Sequence, residues 1–393
     1  MSEAHIGIHT EEMVLSMGPH HPSTHGVLRL EVTTDGEVVA GARPDIGYLH
    51  RAIEKIAENI DYRQFMPYTD RVDYLCAMNA NHAYALAVEK LAGIKVPLRA
   101  EILRVLVAEL NRISTHMICL GALAMDMGAY TPFLHAICHR ELVNDLFEEV
   151  CGARLTYNYL TIGGVGDDVL AGFADKCEQF ADYLTPKMTE FNELITGNSI
   201  FQDRLCTVGV VTGEQAINWG LVGPNLRGSG VRWDVRKNEP YSLYDKLQFE
   251  VPVGDGGDPK GSNPAGTLGD SYDRYMVRIK EVGESVRIIR QVCAMLREND
   301  KLPPEHPDRQ CQTKLPPRLK VKRGEVYVRS ENPRGETGYY IVSDGTEKPL
   351  RTKIRTGSFT AVNCFEEVTR GLLIADVVAV IGSFDIVLPE VDR

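Results

Sequence analysis

The sequence lacks the features that mark several common classes of protein. Its nine cysteines include no C-x-x-C pair, which argues against a disulfide framework and against a self-contained zinc or iron–sulfur site. The net charge is −11, and phosphate binding needs clustered lysine and arginine. We therefore expect a protein of a reducing cytoplasm that holds no metal and binds no nucleic acid.

Long apolar runs are also missing. The most apolar stretches, residues 117–129 and 371–384, each contain an aspartate, and both are shorter than the roughly 18 residues that a membrane span needs. The first residues have neither a basic start nor an apolar core, so we expect no signal peptide. The prediction is a chain that can lie on a membrane but does not cross one.

The hydrophobic pattern changes twice along the chain. Residues 27–32 and 37–40 flank an Asp-Gly turn, which is typical of a β-hairpin. Apolar residues then recur at helical spacing from about residue 77 to 296, with Pro186 expected to kink or split one helix. Short strands return after residue 320, followed by a helix near 363–380. We predict an α+β fold with a β-rich region over 1–75, a long-helix bundle over 76–300 and a mixed α/β region over 301–393.

Ten of the eleven histidines precede residue 140, and two of the pairs with a spacing of four are candidates for a metal site. His21 and His25 lie in "MGPHHPSTHG", where the prolines favour a loop, so the spacing does not place both rings on one helix face. His135 and His139 lie on a predicted helix, where this spacing can bind a metal. Because no H-E-x-x-H motif accompanies them, a structural role is favoured.

Two polar residues in apolar surroundings are candidates for a site. Asp126 lies inside "LGALAMDMGAY", where a carboxylate is costly unless it is paired or protonated. It is either a helix-end aspartate that reaches solvent or a buried acid that holds a partner such as a histidine. Tyr74 of "RVDYLC" is either packed in the core or presents its hydroxyl to a partner.

Nine segments, in order from about residue 11 to the last residue, form a specific set of motifs. They are "GPHHPSTHGVLRL", "IGYLHRAIEKIAE", "DRVDYL", "AYALAVEKLAGI", "AELNRISTH", "DMGAYTPF", "GDSYDRY", "ENPRGE" and "SFDIVLPEVDR". Together they resemble the D-type subunit family of proton-pumping NADH:quinone oxidoreductases, respiratory complex I. That family is in turn similar to the large subunits of nickel–iron hydrogenases, which implies the same fold.

The similarity to hydrogenases provides a test for a metal. Their site uses four cysteines, in R-x-C-x-x-C and in a terminal D-P-C-x-x-C-x-x-H. The matching positions here are Asp73, Cys76, Val387 and Glu390, so one thiolate of four remains. Nickel and iron need soft thiolate ligands. The resemblance therefore implies a fold that is kept, a metal that is lost and a cavity in its place.

In the family that cavity receives the headgroup of a quinone, which is the substrate. The resemblance assigns His25 and Tyr74 as the residues that contact the quinone, and Asp126 as the acid paired with the histidine. A histidine and a tyrosine can donate hydrogen bonds to a carbonyl that is being reduced, and the histidine can supply a proton. A carboxylate on the other ring nitrogen raises the pKa of the histidine.

The resemblance also implies where electrons come from. The chain binds no cofactor of its own, and an iron–sulfur cluster of an adjacent subunit supplies the electrons, close to Arg51 and Arg71. His21 is expected near the quinone. Many members have a histidine close to the cluster at the position of Thr156, so a redox-linked role for that position is in doubt here.

The implied protein is the quinone-site subunit of a proton-translocating NADH:quinone oxidoreductase, with no complete activity alone. Its implied partners are the cluster-bearing subunit, the C-type subunit and the membrane arm, on the cytoplasmic side of the bacterial inner membrane as a peripheral protein. Two alternatives stay open. One is the equivalent subunit of a complex that uses ferredoxin or another donor, and the other is a nickel–iron hydrogenase-type large subunit.

Overall fold

The computed structural model of the protein describes residues 12–21 and 26–393. Its first element is an antiparallel sheet of three strands in the order β1-β2-β3, and the predicted hairpin joins β2 to β3 at Gly36. Leu30 and Val32 alternate with exposed or half-buried neighbours and lie in the core, as a sheet with one covered face requires. The strands are β1 Glu12–Met17, β2 Arg29–Asp35 and β3 Val38–Asp45.

Long helices follow, as the periodicity predicts. The two longest, α4 and α11, contact each other along the middle of the protein, and α4 buries Leu103, Leu106 and Leu110 completely. The two short helices that lead into this bundle are α1 Ile53–Ala57 and α2 Met66–Thr69. The long helices are α3 Ala77–Ala92, α4 Leu98–Asp126, α5 Tyr130–Cys151, α6 Phe173–Phe191 and α11 Ser271–Asp300.

Pro186 does not split its helix, so that part of the expectation is wrong. Helix α6 continues through the proline to Phe191 and then passes into a π-helical turn, Asn192–Thr196. Shorter elements fill the chain between the long helices. They are strands β4 Leu160–Thr161 and β5 Gly164–Val165 and helices α7 Ser199–Leu205, α8 Gly213–Asn218, α9 Gly223–Gly228 and α10 Val235–Asn238.

The C-terminal part is mixed, as predicted, with a second antiparallel sheet in the order β6-β7-β8. The single helix expected near 363–380 is instead divided among three helices, with turns at Cys364 and Gly371. The elements are β6 Gly324–Asn332, β7 Gly335–Ser343, β8 Arg351–Arg355, α12 Gly357–Asn363, α13 Phe365–Thr369, α14 Ile374–Phe384 and α15 Leu388–Asp392.

The predicted α+β fold class is therefore confirmed: an N-terminal sheet, central long helices and a mixed C-terminal region. One hydrophobic core includes side chains from all three parts, from Leu28 of the first sheet region to Val391 of α15. The residue boundaries between the three parts stay a prediction. Within residues 12–21 and 26–393, none of the helices combines the length and the apolar character that crossing a bilayer requires.

Candidate functional site

Tyr74 lies in a short loop that a buried carboxylate holds in shape. The side chain of Asp73 accepts hydrogen bonds from the backbone N–H groups of Leu75 and Cys76, at 3.2 and 3.4 Å, just before α3 begins. The Cys76 thiol donates to Asp73 Oδ2 at 2.6 Å. Asp73 and Cys76 are buried, whereas Tyr74 is 37% exposed. The loop therefore holds a partly exposed tyrosine between two fixed, buried neighbours.

The environment of Tyr74 keeps its hydroxyl protonated. Partial burial raises the pKa of Tyr74 above its usual value of about 10, and the nearby guanidinium of Arg334 only partly opposes that effect. At neutral pH the tyrosine is therefore a hydrogen-bond donor. A group of this kind can donate to a carbonyl oxygen on which negative charge develops.

Arg334 joins the Tyr74 loop to the C-terminal segment. It lies at the tip of the hairpin between β6 and β7, where its Nη1 donates to Asp73 Oδ2 at 2.7 Å. Its Nη2 and Nε donate to a side-chain oxygen and the carbonyl oxygen of Asp385, at 3.2 and 3.1 Å. The guanidinium is 1% exposed. A buried cation thus bridges two aspartates that are 312 positions apart in the chain.

The four positions that correspond to hydrogenase cysteines come together around this bridge. Val387 and Glu390 belong to the same C-terminal segment as Asp385, and the Glu390 carboxylate accepts a short hydrogen bond from Ser358 Oγ. Burial, with the nearby carboxylate of Asp73, raises the pKa of Glu390 to about 8. One thiol, one valine and two carboxylates do not fit a nickel–iron centre, which needs thiolates.

The expectation of an open cavity between these four side chains is wrong. Asp73, Cys76, Val387 and Glu390 are each at most 4% exposed, and Arg334 lies against this group. So little accessible surface leaves no room for a headgroup among them. Beside this cluster, the partly exposed side chain is that of Tyr74.

Asp126 lies on the same side of the molecule. It is the last residue of α4 and is half-buried. A Cβ atom placed on Gly382 of α14 would lie 3.1 Å from a carboxylate oxygen of Asp126. The carboxylate is therefore close to the stretch that leads to Asp385. Asp126 therefore ends its helix and is partly covered, and its pairing with a histidine stays a prediction.

The histidine loop ends against the same segment. His21 forms a β-bridge with Gly26, and a Cβ atom on Gly26 would lie 3.1 Å from Leu388 Cδ1. His25, the predicted quinone contact, lies outside the described residues, and so does its predicted pairing with Asp126. The structure nevertheless brings the residue after His25 to the C-terminal segment that carries Val387 and Glu390.

Arg51 and Arg71 form a second, neighbouring feature. They line an open pocket of about 390 Å³ together with Ile53, Pro67 and Tyr68. Arg51 Nη2 donates to the carbonyl oxygen of Arg71 at 2.7 Å, and burial beside Arg71 lowers the pKa of Arg51. The pocket therefore combines two exposed cations with apolar lining residues.

The loop before Arg51 also holds the end of the chain. The backbone N–H groups of Gly47 and Leu49 donate to the Asp392 carboxylate at 2.8 and 2.7 Å. The ring Nδ1 of His50 lies 2.7 Å from the Asp392 carbonyl oxygen. The two-arginine pocket and the C-terminal segment are therefore connected through one loop.

His139 and His82 each lie beside a hydroxyl group. His139 Nδ1 lies 3.2 Å from Tyr183 Oη, and its ring centroid is 6.3 Å from that of His135. His82 is buried and its Nε2 lies 2.9 Å from Ser242 Oγ. Across the part of the chain that the structure describes, no three His, Cys, Asp or Glu side chains are arranged to hold a metal ion.

Sequence reasoning missed Arg334. Its motif "ENPRG" predicts a turn between strands, which is correct, but nothing in the pattern indicates that the arginine points inward. Glu331 of the same motif is also buried and accepts from Arg227 Nη1 at 2.7 Å. Charged residues are rarely buried unless they are paired. A charged pair of positions at a predicted turn therefore suggests exposure, and the sequence gives no sign that these two side chains are buried.

The fold and the residues of the cluster define a class: an α+β chain that lacks the thiolate set of the hydrogenases at the corresponding positions. Residues 126–393 match the family model described as "Respiratory-chain NADH dehydrogenase, 49 Kd subunit". The chain therefore belongs to the family of the 49 kDa subunit of respiratory-chain NADH dehydrogenase.

Curated relatives agree with this assignment over almost the whole chain, and all three named here are D-type subunits of NADH-quinone oxidoreductase. The second such subunit of Sorangium cellulosum is 54% identical over 383 residues, which cover 98% of this chain and 95% of that protein. The first of Anaeromyxobacter sp. strain K is 52% identical, over 98% and 97%. That of Chlorobium luteolum is 50% identical, over 98% and 94%. The family that the sequence motifs predict is confirmed.

Proposed function

We propose that this chain is the quinone-site subunit of an NADH:quinone oxidoreductase and binds the headgroup of the quinone at Tyr74. One observation carries the proposal: a partly exposed tyrosine stands on a loop whose neighbours Asp73 and Cys76 are buried and fixed. Asp126 and the end of the histidine loop lie near the same C-terminal segment. These are the places at which the family resemblance puts the two quinone contacts and the acid paired with the histidine.

The chemistry of the reaction suits these groups. Reduction of a quinone to a quinol takes up two electrons and two protons. The two electrons come from the cluster of the neighbouring subunit. Tyr74, whose pKa is raised by burial, donates a hydrogen bond to one carbonyl, which takes its proton from water, and His25 supplies the proton at the other carbonyl. Asp126 in turn holds the histidine in its protonated form, because a carboxylate favours the cationic ring.

Electrons enter on the side of Arg51 and Arg71. We propose that the terminal iron–sulfur cluster of a neighbouring subunit lies against their pocket. Two exposed cations suit this position, because positive charge close to a cluster favours its reduction. His21, which forms a β-bridge with Gly26, shapes the histidine loop.

The remaining parts of the proposal concern the assembly. The chain works with the cluster-bearing subunit, with the C-type subunit and with the membrane arm, on the cytoplasmic side of the bacterial inner membrane. Translocation of protons belongs to membrane subunits, so the chain alone has no complete activity. A flavin-bearing NADH subunit that copurifies with the chain supports NADH as the donor, whereas a complex that lacks it and accepts electrons from ferredoxin indicates the alternative.

The experiment that tests the quinone site is a single substitution in the assembled complex. Tyr74→Phe removes one hydroxyl and should lower quinone reduction, while electron transfer from NADH to a water-soluble acceptor that bypasses the quinone stays unchanged. Tyr327→Phe is the matched control, because Tyr327 is 43% exposed and lies on strand β6. Quinone turnover that is unchanged in Tyr74→Phe would remove the basis of the proposal.

A further inference from the structure

We propose that Arg334 is a positioning residue for the quinone site, and this inference rests on the function proposed above. Arg334 does not itself reach a ligand, because its guanidinium is 1% exposed and its three nitrogens are all bonded to Asp73 and Asp385. It acts through the loop that it holds. Asp73 immediately precedes Tyr74, so the position of the tyrosine depends on the guanidinium.

The arginine is itself held rigidly from two sides. The hairpin tip is pressed between two glycines: a Cβ atom on Gly223 would lie 2.3 Å from Gly335 Cα, and one on Gly357 would lie 2.5 Å from the Arg334 carbonyl oxygen. Real Cβ atoms do not come that close. These close contacts restrict the position of the backbone at Arg334. The direction of the guanidinium is therefore set by the packing of the hairpin tip.

Charge explains why a cation is needed at this point. The Asp73 carboxylate is buried, the Asp385 side chain is 9% exposed, and both accept from the same guanidinium. Two carboxylates with so little solvent and no cation would have to move apart or take up protons, since an unpaired buried charge is very unfavourable. Either response changes the hydrogen bonds with which Asp73 fixes the loop that carries Tyr74.

The geometry also requires an arginine and not only a positive charge. The planar guanidinium donates in three directions, one toward Asp73 and two toward Asp385. A lysine ammonium on a flexible stem would keep the charge but could not reproduce this fixed fork. Arg334→Lys therefore isolates the positioning role, and Arg334→Gln removes the charge as well.

The test uses the assembled complex and compares kcat with KM for a short-chain quinone. Arg334→Lys should raise the KM about fivefold or more with a smaller effect on kcat, because a misplaced hydrogen-bond donor weakens binding of the headgroup. The rate of electron transfer from NADH to a water-soluble acceptor should stay at the wild-type level. Arg329→Gln is the matched control: this arginine is on strand β6, which leads to the same hairpin tip, and pairs with Glu239 near the surface.

Two further variants make the result decisive. In Arg334→Gln with Asp73→Asn, the KM should be no higher than in Arg334→Gln alone, because both changes act through one contact. Gly357→Ala keeps the guanidinium but pushes on the Arg334 carbonyl, and should also raise the KM. If the Arg334 variants do not assemble, Gly357→Ala decides the outcome.

A quinone KM within about twofold of wild type in Arg334→Lys, or in Gly357→Ala where the arginine variants do not assemble, overturns the inference. Tyr74→Phe, measured in the same preparation, separates this failure from failure of the proposed function. If Tyr74→Phe impairs quinone reduction and the variants at Arg334 and Gly357 do not, only the positioning role of Arg334 is contradicted. If Tyr74→Phe is also without effect, the quinone site itself is wrong.

Discussion

Arg104 of α4 and Glu89 of α3 form a two-pronged ion pair in the interior, with Nη1–Oε2 and Nη2–Oε1 distances of 2.9 and 2.5 Å. The same carboxylate accepts from the backbone N–H of Gly163 at 2.6 Å. Arg104 also donates to the carbonyl oxygens of Thr161 and Gly164. This one pair therefore ties two long helices to the small β4–β5 hairpin.

Glu89→Ala should consequently destabilise the protein by about 3–5 kcal/mol, because it leaves a buried guanidinium without its main counter-charge. Asp45→Ala, which breaks the exposed pair with Arg29, should have little effect, since surface ion pairs contribute little. Denaturant unfolding of both variants provides the comparison. Equal losses would mean that burial does not govern the strength of the Arg104–Glu89 pair.

The contact between Gly223 and Gly335 gives a second prediction. Gly223 and Gly36 have almost the same backbone angle, φ +62° and +63°, but only Gly223 is closely packed. Gly36→Ala should cost about 1–2 kcal/mol for the left-handed conformation alone. Gly223→Ala should cost about 1–3 kcal/mol more, because a methyl group would collide with the hairpin tip. Similar unfolding free energies for the two variants would contradict this close approach.

Glu390 should make stability depend on pH. Burial and the nearby Asp73 carboxylate raise its pKa in the folded protein to about 8, well above the usual value of about 4.3. The folded state therefore holds a proton that the unfolded state has released, and stability should fall as pH rises from about 5 through 8. In Glu390→Gln this fall should be smaller. Unfolding curves recorded across that pH range with the same slope in both proteins would contradict the raised pKa.

Asp126→Asn tests the predicted partnership with His25. Removal of the negative charge should lower the pKa of the histidine, because a neighbouring carboxylate favours the protonated ring. The pH profile of quinone reduction should therefore shift toward lower pH, with the largest loss of rate above neutrality. A pH profile that keeps its shape and position would show that Asp126 does not act on the pKa of the histidine.

Regular periodicity made much of the fold predictable. Leu103, Leu106 and Leu110 predict a buried face of α4, and the Asp-Gly turn at Gly36 predicts the first hairpin. Both features are present. The helix expected near 363–380 was wrong in extent because an apolar run does not reveal the turns at Cys364 and Gly371. Local pattern therefore predicts long elements better than short ones.

The candidate site was predictable only in part. Motif resemblance indicated Tyr74 and the C-terminal segment, and the structure places them on either side of one cluster. Arg334 could not be found in this way, because it bonds to Asp73 across 261 positions and no local pattern records such a contact. The same holds for the expected cavity, which is filled because a carboxylate–guanidinium bridge occupies the space between the four positions that match hydrogenase ligands.

The central claim is that a quinone headgroup binds at Tyr74, and a structure of the assembled complex with a bound quinone tests it most directly. We expect one carbonyl oxygen of the headgroup within about 3 Å of Tyr74 Oη, as a hydrogen bond requires. We also expect the Arg334 bridge between Asp73 and Asp385 to be intact behind it. A headgroup bound elsewhere, with Tyr74 Oη facing solvent or another protein group, would contradict the claim.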